Sequence, residues 1–168
     1  MALTFTPQAQ ARIAKILARY PNKMAACLPL LWLAQEEFGH VGPDAQALVA
    51  ATLDLPASHV YGVVTFYTMY NQKPVGKYHV QVCTNVSCML CGGYDTLGAF
   101  ERKLGIRCGE TTPDGLFTLA EVECLAACGG APAVQINDRY YEPVTPETVD
   151  ALVDALREGK QPPSRPKA

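Results

Sequence analysis

Two stretches decide how this chain folds: 77-KYHVQVCTNVSCMLCGG-93 and 116-LFTLAEVECLAACGGAP-132. Each begins with a short strand-like run and continues into a loop that carries cysteine and paired glycine. From Lys77 to Val82, Tyr78, Val80 and Val82 fall on one side, His79 and Gln81 on the other, the two-residue period of a strand. Leu116 to Val122 reads as a second strand. Between the two lies a helical pattern from about Tyr94 to Leu104, closed by Gly105. Downstream, Ala133–Ile136 and Arg139–Tyr141 read as a hairpin turning at Asn137 and Asp138. Thr145 then caps a last helix with Pro146 at its first position, and Val149, Leu152, Val153 and Leu156 give it one apolar face.

Upstream the pattern is helical. Thr6 is a good N-cap and Pro7 suits the first helical position, with Ile13, Ile16, Leu17 and Tyr20 on one face. A second helix is expected from about Met24 to Phe38, stopping at Gly39, with Pro29 forcing either a kink or a later start. Pro43 opens a third, to about Leu53, and Pro56 a fourth through Val60 and Val63. The expected organisation is α+β: a small helical bundle over residues 1–74, an α/β layer of thioredoxin-like form over 75–160, and a Pro-rich tail over 161–168.

Composition narrows the function. A chain of 168 residues with 49% apolar and 18% charged residues is globular. A net charge of -2 without a basic block gives no reason to propose nucleic acid as a partner. No apolar run reaches membrane-spanning length, and the N-terminus lacks a secretory pattern, so a cytoplasmic location is expected. Thiols stay reduced there, and seven cysteines then point to metal or redox chemistry.

Cys83 and Cys88 are spaced C-x4-C, and Cys124 and Cys128 are spaced C-x3-C. Two close pairs on two loops suit a four-thiolate site, because each loop closes locally and the fold brings the loops together. A 2Fe-2S cluster takes two thiolates per iron, one pair for each. Gly92, Gly93, Gly129 and Gly130 are expected to let main-chain amides approach the sulfurs. Other readings stay open on spacing alone. Structural zinc accepts similar cysteine spacings. Cys88-Met-Leu-Cys91 is a C-x-x-C between a strand and a helix, suited to a dithiol oxidoreductase. Cys83, Cys88 and Cys91 with one downstream cysteine also fit the plant-type ferredoxin spacing. Cys27 and Cys108 read as buried small hydrophobes.

With these residues in hand, the chain resembles the small 2Fe-2S subunit of NADH-quinone oxidoreductase (respiratory complex I), over about residues 8 to 160. The specific stretches are GVVTFYTMYNQKPVGKYHVQVCTNVSCML (62–90) and GETTPDGLFTLAEVECLAACGGAP (109–132). The resemblance implies a helical domain ahead of a thioredoxin-like ferredoxin domain. It implies one 2Fe-2S cluster on Cys83, Cys88, Cys124 and Cys128, with the position of Cys91 outside the ligand set. It implies a partner flavoprotein that holds FMN and the NADH site, other peripheral-arm subunits, and a place on the cytoplasmic side of the inner membrane without insertion into it. No independent catalytic site is implied. Related subunits serve NAD-linked hydrogenases and formate dehydrogenases. In agreement, the chain has no G-x-G-x-x-G and no P-loop of its own. Ala126 stands where the family commonly has glycine, which implies a more constrained second loop.

Four smaller expectations concern single residues and short runs. Val63 to Tyr70 packs as core or offers aromatics to a partner. His40, His59 and His79 show no ligand spacing. Glu121 and Glu123 solvate the strand end. Ala131-Pro132 sits where thioredoxin-like folds commonly have a cis-proline, although trans is the commoner state of any single proline.

Overall fold

The computed structural model describes residues 3–164, and in it the two expected strands become β1 (Tyr78–Cys83) and β2 (Phe117–Val122). They pair in parallel, Tyr78 opposite Phe117 and Cys83 opposite Val122. Parallel neighbours need a crossover. Here it runs through α5 (Val86–Leu90) and α6 (Gly93–Leu104). β3 (Val134–Ile136) then lies antiparallel on the other side of β1, and β4 (Arg139–Tyr141) antiparallel to β3, giving the order β2-β1-β3-β4. This mixed four-stranded sheet with packed helices is the thioredoxin-like arrangement expected from the strand and helix order.

Side chains of one sheet face meet the helices. Val80, Val82, Phe117 and Leu119 join Phe100 of α6 and Val149 and Val153 of α7 (Pro146–Arg157) in one buried cluster. Each such side chain contributes roughly 1.5–3 kcal/mol by leaving water. α7 starts as the sequence indicates: the Thr148 hydroxyl accepts the Thr145 amide (3.0 Å), and Pro146 fills the first position. The hairpin turns at Asn137, which takes φ 53. Its side-chain oxygen accepts the His79 amide (2.9 Å) and its side-chain amide donates to the Lys77 carbonyl (2.9 Å). Ala131-Pro132 is cis, as is Glu142-Pro143.

The chain divides after Pro74, and the preceding unit has its own core. Its helices are α1 (Pro7–Leu17), α2 (Cys27–Phe38), α3 (Pro43–Leu53) and α4 (Ala57–Phe66). The Thr6 side chain accepts the Ala9 amide (3.2 Å), as expected of the cap. α1 ends before Tyr20, which is 40% exposed and does not extend the buried face. Met24–Ala26 form a 3-10 turn, so the second helix starts late and Pro29 sits in its first turn, where its missing amide costs no helical bond. Gly39 closes α2 at φ 78. Val64 and Tyr70 are buried in this core, and Tyr70 donates to the Leu28 carbonyl (2.9 Å). Phe66, Tyr67 and Met69 are exposed, so the Val63–Tyr70 run is divided between core and surface. No helix among the described residues is long and apolar enough to cross a membrane. The expected Pro-rich tail spans 161–168, of which residues 165–168 lie outside the described residues.

Candidate metal centre

β1 and β2 end level with each other, so the loops that follow leave the same edge of the sheet. Cys83, the last residue of β1, pairs with Val122, two residues before Cys124. The Cys83 sulfur lies 3.8 Å from the Glu123 carbonyl oxygen. The Thr84 amide donates to the Val122 carbonyl (3.2 Å), and the Cys83 amide donates to the Ala133 carbonyl (3.1 Å). The start of the first loop is thereby fastened to both ends of the second.

The first loop is built around a short helix. The Asn85 side chain accepts the Val86 amide (2.6 Å) at its N-terminus, and the Met89 amide donates to the Asn85 carbonyl (2.8 Å). α5 turns Cys88 inward. Cys83 and Cys88 are both buried and pack with Ala133, flanked by Val122, Leu125, Ala127 and Ala131. Burial pushes the Cys88 thiol up to about 11, and its contact with Cys83 and the charges of Cys83 and Cys128 push the same way; a hydrogen bond with the Ala133 backbone pulls it down. A thiol whose ionisation is opposed by burial and by neighbouring sulfurs, held in an apolar hollow, is one that a bound cation would help to ionise.

The second loop is irregular. Cys124 and Cys128 are exposed, with a 3-10 turn over Cys128–Gly130. The Ala126 amide donates to the Cys124 sulfur (3.3 Å), the backbone-to-sulfur bond expected of a thiolate loop. Ala126 achieves it at φ 55, a left-handed conformation that costs a residue with a Cβ about 1 kcal/mol or more. The extra constraint expected from alanine in place of glycine lies in this dihedral.

The four glycines differ from the expected common role. A Cβ on Gly93 would lie 2.8 Å from the Cys83 carbonyl oxygen and 2.9 Å from that of Cys88, so its absence lets α6 start against the first cysteine pair. Gly92 takes φ 92. A Cβ on Gly129 would meet nothing within 4 Å, and one on Gly130 would meet Glu142. Cys91 is exposed at the C-terminal end of α5. Cys108 is exposed rather than buried, and its sulfur accepts the Glu121 amide (3.1 Å). Cys27 is buried as expected.

Sequence reasoning passed over two contributors. Glu121 accepts the Thr84 hydroxyl (2.6 Å), joining the residue after Cys83 to β2 rather than merely solvating the strand. Ala133 touches both Cys83 and Cys88 through its backbone, and backbone groups leave no trace in composition. Among the described residues, no three His, Cys, Asp or Glu side chains stand close enough together to hold a metal ion. What fits a cluster is the donor set: a buried thiol pair, a second thiol pair on a loop fastened beside it, an apolar lining and an amide already bonded to sulfur.

Comparison with known proteins gives the family and named relatives of this sheet and its loops. The family model described as "Thioredoxin-like [2Fe-2S] ferredoxin" matches residues 13–157. The chain is 51% identical over 142 residues to an NADH-quinone oxidoreductase subunit of Rickettsia felis, covering 83% of this chain and 85% of that one. It is 46% identical over 140 residues to an NADH-quinone oxidoreductase subunit of Rhizobium meliloti, covering 83% of each. Among solved structures, an air-oxidized NAD+-reducing [NiFe]-hydrogenase superposes with TM-score 0.66 at 21% identity, over 77% of this chain and 23% of that chain.

Proposed function

The chain belongs to the thioredoxin-like [2Fe-2S] ferredoxin family, and from that premise we propose that it is the one-electron-carrying subunit of an NADH-quinone oxidoreductase, with Cys83, Cys88, Cys124 and Cys128 as cluster ligands. The observation that carries the ligand assignment is the meeting of the two cysteine loops: the Cys83 sulfur sits 3.8 Å from the Glu123 carbonyl oxygen, beside Cys124. Cys88 supports it further, since the thiols that act on it are Cys83 and Cys128. When bound, a 2Fe-2S cluster accepts and returns one electron at a time.

The rest is the work of this chain's own residues. Cys83 and Cys88 would hold one side of the cluster from within the core. Ala133, Val122 and Leu125 exclude water around them. The Ala126 amide stabilises negative charge on the Cys124 sulfur. Hydride chemistry, FMN and NADH belong to a flavoprotein partner, since this chain has no dinucleotide or phosphate loop. The complex would place this subunit on the cytoplasmic side of the membrane, beside other peripheral-arm subunits. The relatives named as NADH-quinone oxidoreductase subunits are identical to this chain at 46% and 51% of the 140 and 142 aligned residues. They favour the quinone-linked complex over an NAD-linked hydrogenase, whose likeness at 21% identity speaks for the fold alone.

Serine substitutions test the ligand set. Cys128→Ser is expected to destroy or strongly alter the visible spectrum of the purified protein, and Cys91→Ser to leave it nearly intact. The reverse outcome would establish the plant-type set. A colourless, metal-free protein that reduces insulin would establish a Cys88/Cys91 dithiol, and a colourless zinc protein a structural zinc site.

A further inference from the structure

Gly130 has a neighbour that its backbone does not explain. Its φ lies outside the left-handed region, so the conformation there is open to any residue. The space is not. An ideal Cβ at position 130 would lie 2.5 Å from Oε2 of Glu142, 2.7 Å from its Cδ and 2.8 Å from its Cβ. The Glu142 side chain therefore lies flat against the second cysteine loop, two residues after Cys128. The two residues line one open hollow with Leu125, Ala127 and Tyr140.

The Glu142 backbone is held as well. Its amide donates to the Ser164 carbonyl (3.0 Å), and the next amide along the chain, that of Val144, donates to the Pro132 carbonyl (2.8 Å). The segment that presents the carboxylate is thus tied to the end of the loop it leans on. A half-buried carboxylate packed beside a thiolate loop is screened less than a fully exposed charge.

We infer that Glu142, packed on Gly130, is a positioning residue that lowers the reduction potential of the centre held by the cysteine loops. This rests on the 2Fe-2S reading above. Four thiolates already make such a centre anionic, and reduction adds one further negative charge. A nearby carboxylate opposes that addition and favours the oxidised form. The glycine at 130 is what permits the carboxylate to come so near.

The test is a redox titration of the whole, cluster-loaded chain, followed by EPR of the reduced form. Glu142→Gln keeps the shape and removes the charge; the midpoint potential shifts positive while iron and sulfide content stay unchanged. Glu142→Asp keeps the charge and restores a potential near that of the unaltered protein. Gly130→Ala displaces the side chain, so it shifts the potential positive when Glu142 is present and adds no further shift when residue 142 is Gln. An E142Q protein that titrates at the original potential overturns the inference alone. So does a G130A shift of equal size in both backgrounds. An unaltered protein without iron and sulfide overturns the 2Fe-2S reading, and this inference with it.

Discussion

The two cysteine loops share one edge of one sheet but are built in opposite ways. The first is held by regular structure: Cys83 ends β1, α5 turns Cys88 into the core, and both sulfurs are buried. The second is held by single contacts: a 3-10 turn, the left-handed Ala126, one amide on the Cys124 sulfur, and Glu142 against Gly130, with both cysteines exposed. The first pair is therefore pre-formed by folding, and the second is the half whose order depends most on what it binds. Ligand loops belong to the less stable end of a structure because they make fewer buried contacts.

The largest effect expected from this asymmetry comes from glycine. Gly93→Ala drives a Cβ into the carbonyls of Cys83 and Cys88. Backbone cannot give way as a side-chain end can, so the cost should be about 2–3 kcal/mol in urea denaturation, with loss of bound iron. Gly129→Ala meets open space and should stay within about 0.5 kcal/mol of the original. Equal losses would mean that the loops are equally rigid.

Removal of the metal by a chelator sharpens the contrast. Amide hydrogen exchange at residues 125–130 should accelerate by roughly tenfold or more, and exchange at Cys83 and Met89, bonded within the sheet and α5, should change far less. Uniform acceleration would contradict a pre-formed first pair. A smaller effect is expected at Ala126. Relief of the φ 55 strain gains about 1 kcal/mol, and added freedom in the unfolded chain returns part of it, so Ala126→Gly should stabilise by ~0.5 kcal/mol. Thermal denaturation of the metal-free protein reads it.

The weakest lever acts on both loops at once. His79 lies on β1, the strand that orders both loops, and burial lowers its pKa from the ordinary value near 6.5. In the window below that value the unfolded chain binds the proton more readily, so stability falls as pH drops and is recovered above it. His79→Gln should flatten this slope in urea titrations between about pH 5 and 7. A slope unchanged by the substitution would place the acid sensitivity elsewhere.

Much of the fold was legible in the sequence, because the relevant forces are local. Thr6 with Pro7, Thr145 with Pro146, and Gly39 and Gly105 mark helix ends through the backbone groups that every helix leaves unpaired. Alternation at Tyr78, Val80 and Val82 set the strand face, and the cysteine spacing marked the loops that leave one sheet edge. What escaped was either too short or tertiary. α5 has five residues, too few to show a period of 3.6. Cys108 looked like core because free cysteine usually is, yet it lies on an exposed turn where its sulfur accepts the Glu121 amide, a contact that only the fold makes. Glu142 carries no spacing signal at all; only the fold sets it on Gly130.

The most direct test of a shared cluster is the iron and acid-labile sulfide content of the purified chain, together with EPR after one-electron reduction. Ligation by both loops predicts a red-brown protein with about two irons and two sulfides per chain and a signal that appears on reduction. Zinc in place of iron, or iron without sulfide, would contradict it.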